Sequence, residues 1–130
     1  MSKVITVSYK GNFQTEIKAG KQKILTDRKG EILSPSELTA AAVTSCAMTV
    51  LSIVIENENM NFEDSYVEVE KQTDLTVYRI TEIKLVFHLR KEYSEEIRKK
   101  AETAVKEMCV VGRSLSSDIT QNYTFIYDVE

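Results

Sequence analysis

Two cysteines, Cys46 and Cys109, have the most reactive side chains in this chain of 130 residues. A thiolate can attack an electrophile, become a sulfenic acid and then condense with a second thiol to a disulfide. The two lie far apart in sequence, so no local C-x-x-C pattern for redox or zinc chemistry exists. With a single histidine, His88, inside a strand-like run, zinc would have to recruit carboxylates, and no metal or bound cofactor is expected. His88 itself reads as a partly buried, hydrogen-bonded strand residue. The bland reading of both thiols is that they are small core hydrophobes. A nucleophilic thiol in apolar surroundings needs a cation or hydrogen-bond donors to hold its charge. The candidate cations are Arg28, in the turn Asp27-Arg28-Lys29-Gly30, and Arg113, four residues after Cys109.

The elements that must position these thiols follow from the pattern around them. Cys46 sits near the middle of an uncharged run of eighteen residues, Leu38 to Ile55. Ser34-Pro35-Ser36-Glu37 before it fits a capping box, with Ser34 as cap, Pro35 at the first helical position and Glu37 reaching back. The run has the length of a membrane span, but Thr39, Thr44, Ser45, Thr49 and Ser52 interrupt it. No aromatic belt or basic flank frames it, so no membrane is expected. A helix apolar or small on every side is then one enclosed by protein. Val4 to Lys10 and Asn12 to Ala19 read as a hairpin joined at Gly11, with Gln22 to Thr26 as a third strand. Tyr66 to Glu70 and Ile83 to Leu89 alternate as half-buried strands. Ser94 caps a second helix whose apolar stripe is Ile97, Ala101, Ala104, Val105 and Met108, ending near Cys109. A short turn at Arg113 to Leu115 and a last strand, Asn122 to Val129, complete an α+β class: two main helices against mainly antiparallel sheet, in one domain over residues 1–130.

The charge balance narrows the partners. Seventeen Lys and Arg against 20 Asp and Glu give a formal charge of −3, without the concentrated cationic face that nucleic acid requires. The N-terminus passes straight into alternating residues with no secretory signal pattern, so the cytoplasm is the expected compartment.

Two stretches together resemble one family. Ser34-Pro35-Ser36-Glu37-Leu38-Thr39-Ala40-Ala41-Ala42-Val43-Thr44-Ser45-Cys46 is similar to the "s-P-x-E-L-l-x-A-a-x-x-x-C" stretch of the OsmC/Ohr family. Cys109-Val110-Val111-Gly112-Arg113-Ser114-Leu115 resembles its second motif, "C-P-v-s-R-s-L". The resemblance implies an OsmC-like fold in an intertwined, cytoplasmic homodimer, with sites at the interface. It also implies a thiol peroxidase that reduces organic hydroperoxides in oxidative stress defence, with Cys46 peroxidatic, Cys109 resolving and an external dithiol as reductant. An apolar wall of Leu38, Val43 and Met48 would favour alkyl or lipid hydroperoxides. In peroxidase members an arginine held by a glutamate directly after the motif proline supports the thiolate. Here that position is Ser36, and Glu37, one residue further, is the carboxylate candidate beside its capping role. Val110 stands where the family has proline. The second function open to the same fold is a dimeric ligand-binding or redox-sensing module without turnover.

Overall fold

The computed structural model describes residues 3–130, which fall into two compact units, one running to Thr39 and the other spanning Ala40–Glu130. In the first, β1 (Thr6–Gly11), β2 (Gln14–Ala19) and β3 (Gln22–Thr26) form an antiparallel three-stranded sheet in sequence order. Gly11 pairs with Gln14, so the turn is the two residues Asn12 and Phe13, both at positive φ (58° and 63°). Positive φ at both positions is what a twist-matched hairpin turn needs, and Asn accepts it readily. Ser34 then opens α1 (Pro35–Asn57) with the expected reciprocal cap. The Glu37 N–H donates to Ser34 Oγ at 3.2 Å and the Ser34 N–H to Glu37 Oε1 at 2.8 Å. Arg28 lies over the Phe13 ring at 5.5 Å.

In the second unit, β4 (Tyr66–Asp74), β5 (Arg79–Arg90) and β6 (Thr120–Val129) form a sheet in that order. β4 and β5 pair antiparallel, whereas β5 and β6 run parallel. A parallel neighbour requires a crossover, and α2 (Glu95–Met108) and α3 (Val110–Ser114) supply it. Ser94 Oγ accepts the Ile97 N–H at 3.3 Å, and Glu95 and Glu96 meet the positive end of α2. β5 is central, and its alternate residues Ile83, Leu85, Phe87 and Leu89 are fully buried. They share one core with Val43, Ala47, Leu51 and Ile55 of α1 and Ala101 and Val105 of α2. Each fully buried Leu or Ile there contributes about 1.5–3 kcal/mol. Phe87 stacks on its register partner Phe125 with ring centres 4.7 Å apart.

The secondary structure matches the α+β reading, with two main helices and two small sheets. α3 differs in starting at Val110, one short turn earlier than expected, because Cys109 is extended (φ −79°, ψ 102°) and ends α2 while capping α3. The expected enclosure of α1 on every side is not met within one chain. Its buried residues from Ala40 on occupy one face, whereas Ala42, Ser45, Thr49 and Ile53 form an exposed stripe at helical spacing. By length and composition α1 could cross a bilayer, with mean hydropathy 2.1 over its best eighteen residues, 28 % of them buried. The packing of its apolar face into a sheet core is the arrangement of a core helix.

His88 is hydrogen-bonded, as its strand position suggested. Its Nε2 meets Glu68 at 2.8 Å, its Nδ1 lies 3.2 Å from Asp128, and its ring stacks on Tyr66. The Asp128 hydrogen bond outweighs burial and, with Glu68, raises the imidazole pKa above its ordinary value.

Candidate functional site

The two cysteines come together at the start of α3. Cys46 is partly buried on α1, Cys109 is 1 % exposed, and both thiols are free. A helix begins with N–H groups that have no partner inside it, and in α3 the first of these are spent on sulfur. The Gly112 N–H donates to Cys109 Sγ at 3.4 Å, so the thiol acts as the cap of α3. The backbone N–H groups of Val111 and Val110 are directed to Cys46. The Cys109 Sγ also lies 3.8 Å from the Val43 carbonyl oxygen, which ties the end of α2 to α1.

These donors separate the two thiols electrostatically. The Val111 N–H is the strongest influence on Cys46; it outweighs burial and, with the Cys109 thiol and the Val110 N–H, holds the Cys46 pKa below its ordinary value. Burial pushes Cys109 up, against the Gly112 N–H, and the neighbouring Cys46 pushes it further. Cys46 therefore ionises first, with Cys109 still protonated beside it as a donor. Within residues 40–130 no cation is among the groups that shift Cys46. Arg113, one of the candidate cations, donates instead to the Glu107 carbonyl at 3.1 Å and closes the last turn of α2.

A set of polar residues that sequence reasoning did not single out lies behind Cys109. Gln121 Nε2 donates to the Gly112 carbonyl at 2.8 Å, and the Tyr123 hydroxyl donates to Gln121 Oε1 at 2.9 Å. Burial first, then negative charge on Cys109 and Cys46, raises the Tyr123 pKa, so its hydroxyl stays protonated. Gln121 and Tyr123 share a face of β6 by strand alternation, a signal visible in sequence only once the sheet register is known. Gly112, Gln121, Tyr123, Cys109, Lys106 and Arg113 line a cavity of about 380 Å³.

The expected apolar wall needs one correction. Val43 is fully buried in the core, so its side chain is not available to a substrate. Met48, Val111 and Leu115 are among the partly buried apolar residues packed against the core. Among the described residues no group of three or more His, Cys, Asp or Glu side chains could hold a metal. Glu37 is engaged in the α1 cap.

The comparisons with known proteins bear on the whole chain. A family model described as OsmC-like protein matches residues 28–124. A putative osmotic stress induced and detoxification response protein from Psychrobacter arcticus has a similar structure, with TM-score 0.89 and 24 % identity over 97 % of this chain and 96 % of that one. An OsmC like protein from Mycoplasma pneumoniae aligns with TM-score 0.86 and 14 % identity over 100 % and 99 %. The organic hydroperoxide resistance protein OhrB of Bacillus subtilis aligns with TM-score 0.70 and 17 % identity over 97 % and 98 %. At these identities the structural likenesses speak for the fold. No curated protein sequence matches the chain.

Proposed function

The chain belongs to the OsmC-like protein family, and we propose that it acts as a thiol-dependent peroxidase reducing organic hydroperoxides through a cycle of Cys46 and Cys109. The observation that carries this reading is that two free thiols meet at the start of α3, Cys109 capping that helix and lying against α1, which bears Cys46; the Cys46 pKa is lowered and that of Cys109 raised. The family includes organic hydroperoxide resistance proteins such as the Bacillus subtilis relative. In the cycle, the Cys46 thiolate attacks the terminal peroxide oxygen and the O–O bond breaks. The alkoxide takes a proton from solvent and leaves as alcohol, and Cys46 becomes a sulfenic acid. The Cys109 sulfur, losing its proton, displaces water from that sulfenic acid and forms the Cys46–Cys109 disulfide, which an external dithiol reopens. Glu37 serves by fixing the first turn of the helix that carries Cys46. The protein works as a cytoplasmic homodimer, with the exposed Ala42, Ser45, Thr49 and Ile53 stripe of α1 meeting the second copy.

The test is consumption of cumene hydroperoxide with dihydrolipoamide as reductant. Cys46→Ser should abolish turnover, and Cys109→Ser should consume one equivalent and then stall. Turnover at the Cys46→Ser level in the parent would refute the reading. Equal turnover of hydrogen peroxide would refute the apolar preference alone. Ser36, in the place of the family's arginine-holding glutamate, favours a second reading, a non-catalytic ligand-binding or redox-sensing dimer. That module would form the disulfide on oxidation yet show no turnover.

A further inference from the structure

The cavity behind the resolving thiol has a composition that the peroxide chemistry does not use. It touches Cys109 and not Cys46, and it holds two cationic side chains, Lys106 and Arg113, with no carboxylate in its lining. Lys106 makes no ion pair among the described residues. Arg113 spends one nitrogen on the Glu107 carbonyl, which leaves most of its five N–H donors available. Gln121 and Tyr123 are bonded to each other and to Gly112, so they form a fixed wall. At about 380 Å³ the cavity lies in the range of small-molecule sites, roughly 300–1,000 Å³.

We propose that this cavity receives the carboxylate of an anionic dithiol reductant, held by Lys106 and Arg113 while its thiolate attacks the Cys109 sulfur of the Cys46–Cys109 disulfide. The proposal rests on the thiol–disulfide cycle above and adds the class of reductant and the sulfur it attacks. Displacement at sulfur proceeds in line, with the nucleophile opposite the leaving group. An approach through a cavity that touches Cys109 but not Cys46 makes Cys46 the sulfur that departs. In the first step a bond forms between the reductant sulfur and Cys109, the disulfide breaks, and its electron pair leaves on Cys46 as thiolate. The leaving thiol of lower pKa departs faster, which is the order found for these two. In the second step the other thiol of the reductant loses a proton to water and attacks its own partner sulfur. That closes a cyclic disulfide and releases the Cys109 thiolate, which takes up a proton. The dithiol is oxidised by two electrons and both cysteines are reduced.

The experiment uses disulfide preformed with diamide, so that the reductive step is read apart from any peroxide step. Dihydrolipoate and its neutral amide, dihydrolipoamide, differ in charge far from their thiols. At low salt dihydrolipoate should reduce the disulfide about fivefold faster, the advantage that two exposed ion pairs give together. The ratio should fall toward one at high salt and in a Lys106→Gln/Arg113→Gln variant, with a Tm and circular dichroism spectrum matching the parent's as the folding control. The monothiol 3-mercaptopropionate should be trapped on Cys109, read by mass spectrometry of the adduct. Equal rates for the two dithiols, an adduct on Cys46, or a charge effect confined to hydroperoxide consumption would overturn the proposal and leave the peroxidase reading standing. Failure of diamide to form the disulfide would overturn both.

Discussion

Gly112 offers the sharpest test of whether the polar chain behind Cys109 is an ordered part of the site. A Cβ at this position would stand 2.8 Å from Gln121 Oε1, 3.3 Å from Cys109 Sγ and 3.4 Å from the Tyr123 hydroxyl. Gln121 has a flexible end that could retreat from Gly112→Ala, but only by giving up its bond to the Gly112 carbonyl and the bond it accepts from Tyr123. Two such bonds are worth about 2 kcal/mol together. Alanine returns about 0.5–1 kcal/mol by restricting the unfolded chain. The net cost is then about 1–1.5 kcal/mol, a fall of about 4–6 °C in Tm for a domain of this size, compared at one protomer concentration. Diamide-driven disulfide formation should slow as well, because the new methyl group crowds Cys109 Sγ. In a Gln121→Ala background the same substitution should become neutral or stabilising, and that non-additivity isolates the clash. An unchanged or higher Tm for Gly112→Ala in the parent would refute the reasoning, since it would mean that Gln121 moves aside freely.

Val110→Pro removes one N–H donor to Cys46 while keeping the backbone, because proline suits the first helical position and Cys109 is already extended, as a residue before proline must be. The pH profile of Cys46 alkylation should move to higher pH at an unchanged Tm, and an unmoved profile would remove the N–H from the account. The raised pKa of His88 makes its contribution to stability fully present below the ordinary 6.5 and lost as pH rises through the folded value. Urea midpoints of parent and His88→Gln should therefore converge from pH 6 to pH 8, and parallel curves would count against the Glu68 and Asp128 bridge. Glu37→Gln keeps an acceptor for the Ser34 N–H, so hydroperoxide turnover should stay within about twofold of the parent. A hundredfold loss would give Glu37 a part in the chemistry.

What the sequence revealed and what it hid divide along the length of the interactions. The capping box of α1, the Ser94 cap of α2, the alternation in β5 and the first hairpin are local, so residue type and spacing disclose them, although the turn expected at Gly11 falls on Asn12 and Phe13. The pairing of Cys46 with Cys109 was readable only through resemblance, because it depends on the crossover that brings the end of α2 to α1. The cations were sought because arginine and lysine can be seen in a sequence. The groups that act on Cys46 are backbone N–H groups of Val110 and Val111, and any non-proline residue carries one. Gln121 and Tyr123 were missed for a related reason: the last strand was expected to begin at Asn122, which leaves Gln121 outside it, whereas β6 begins at Thr120 and its parallel pairing with β5 sets their positions.

The two departures from the family pattern can be understood together. Ser36 removes the glutamate that holds an arginine in peroxidase members, and Val110 replaces a proline that has no N–H to give. For the proposed peroxidase a neutral donor at the same sulfur would meet the requirement of the chemistry, which is a thiolate and not a particular cation. The substitution has a physical consequence. A cation stabilises through a field that salt weakens, whereas N–H groups fixed in the first turn of a helix act over a single hydrogen bond and are little affected by ionic strength. The reactivity of Cys46 in this protein should accordingly be nearly independent of salt. In the proposed cycle, reduction by dihydrolipoate through Lys106 and Arg113 should slow as salt rises, so ionic strength separates the two halves of that cycle.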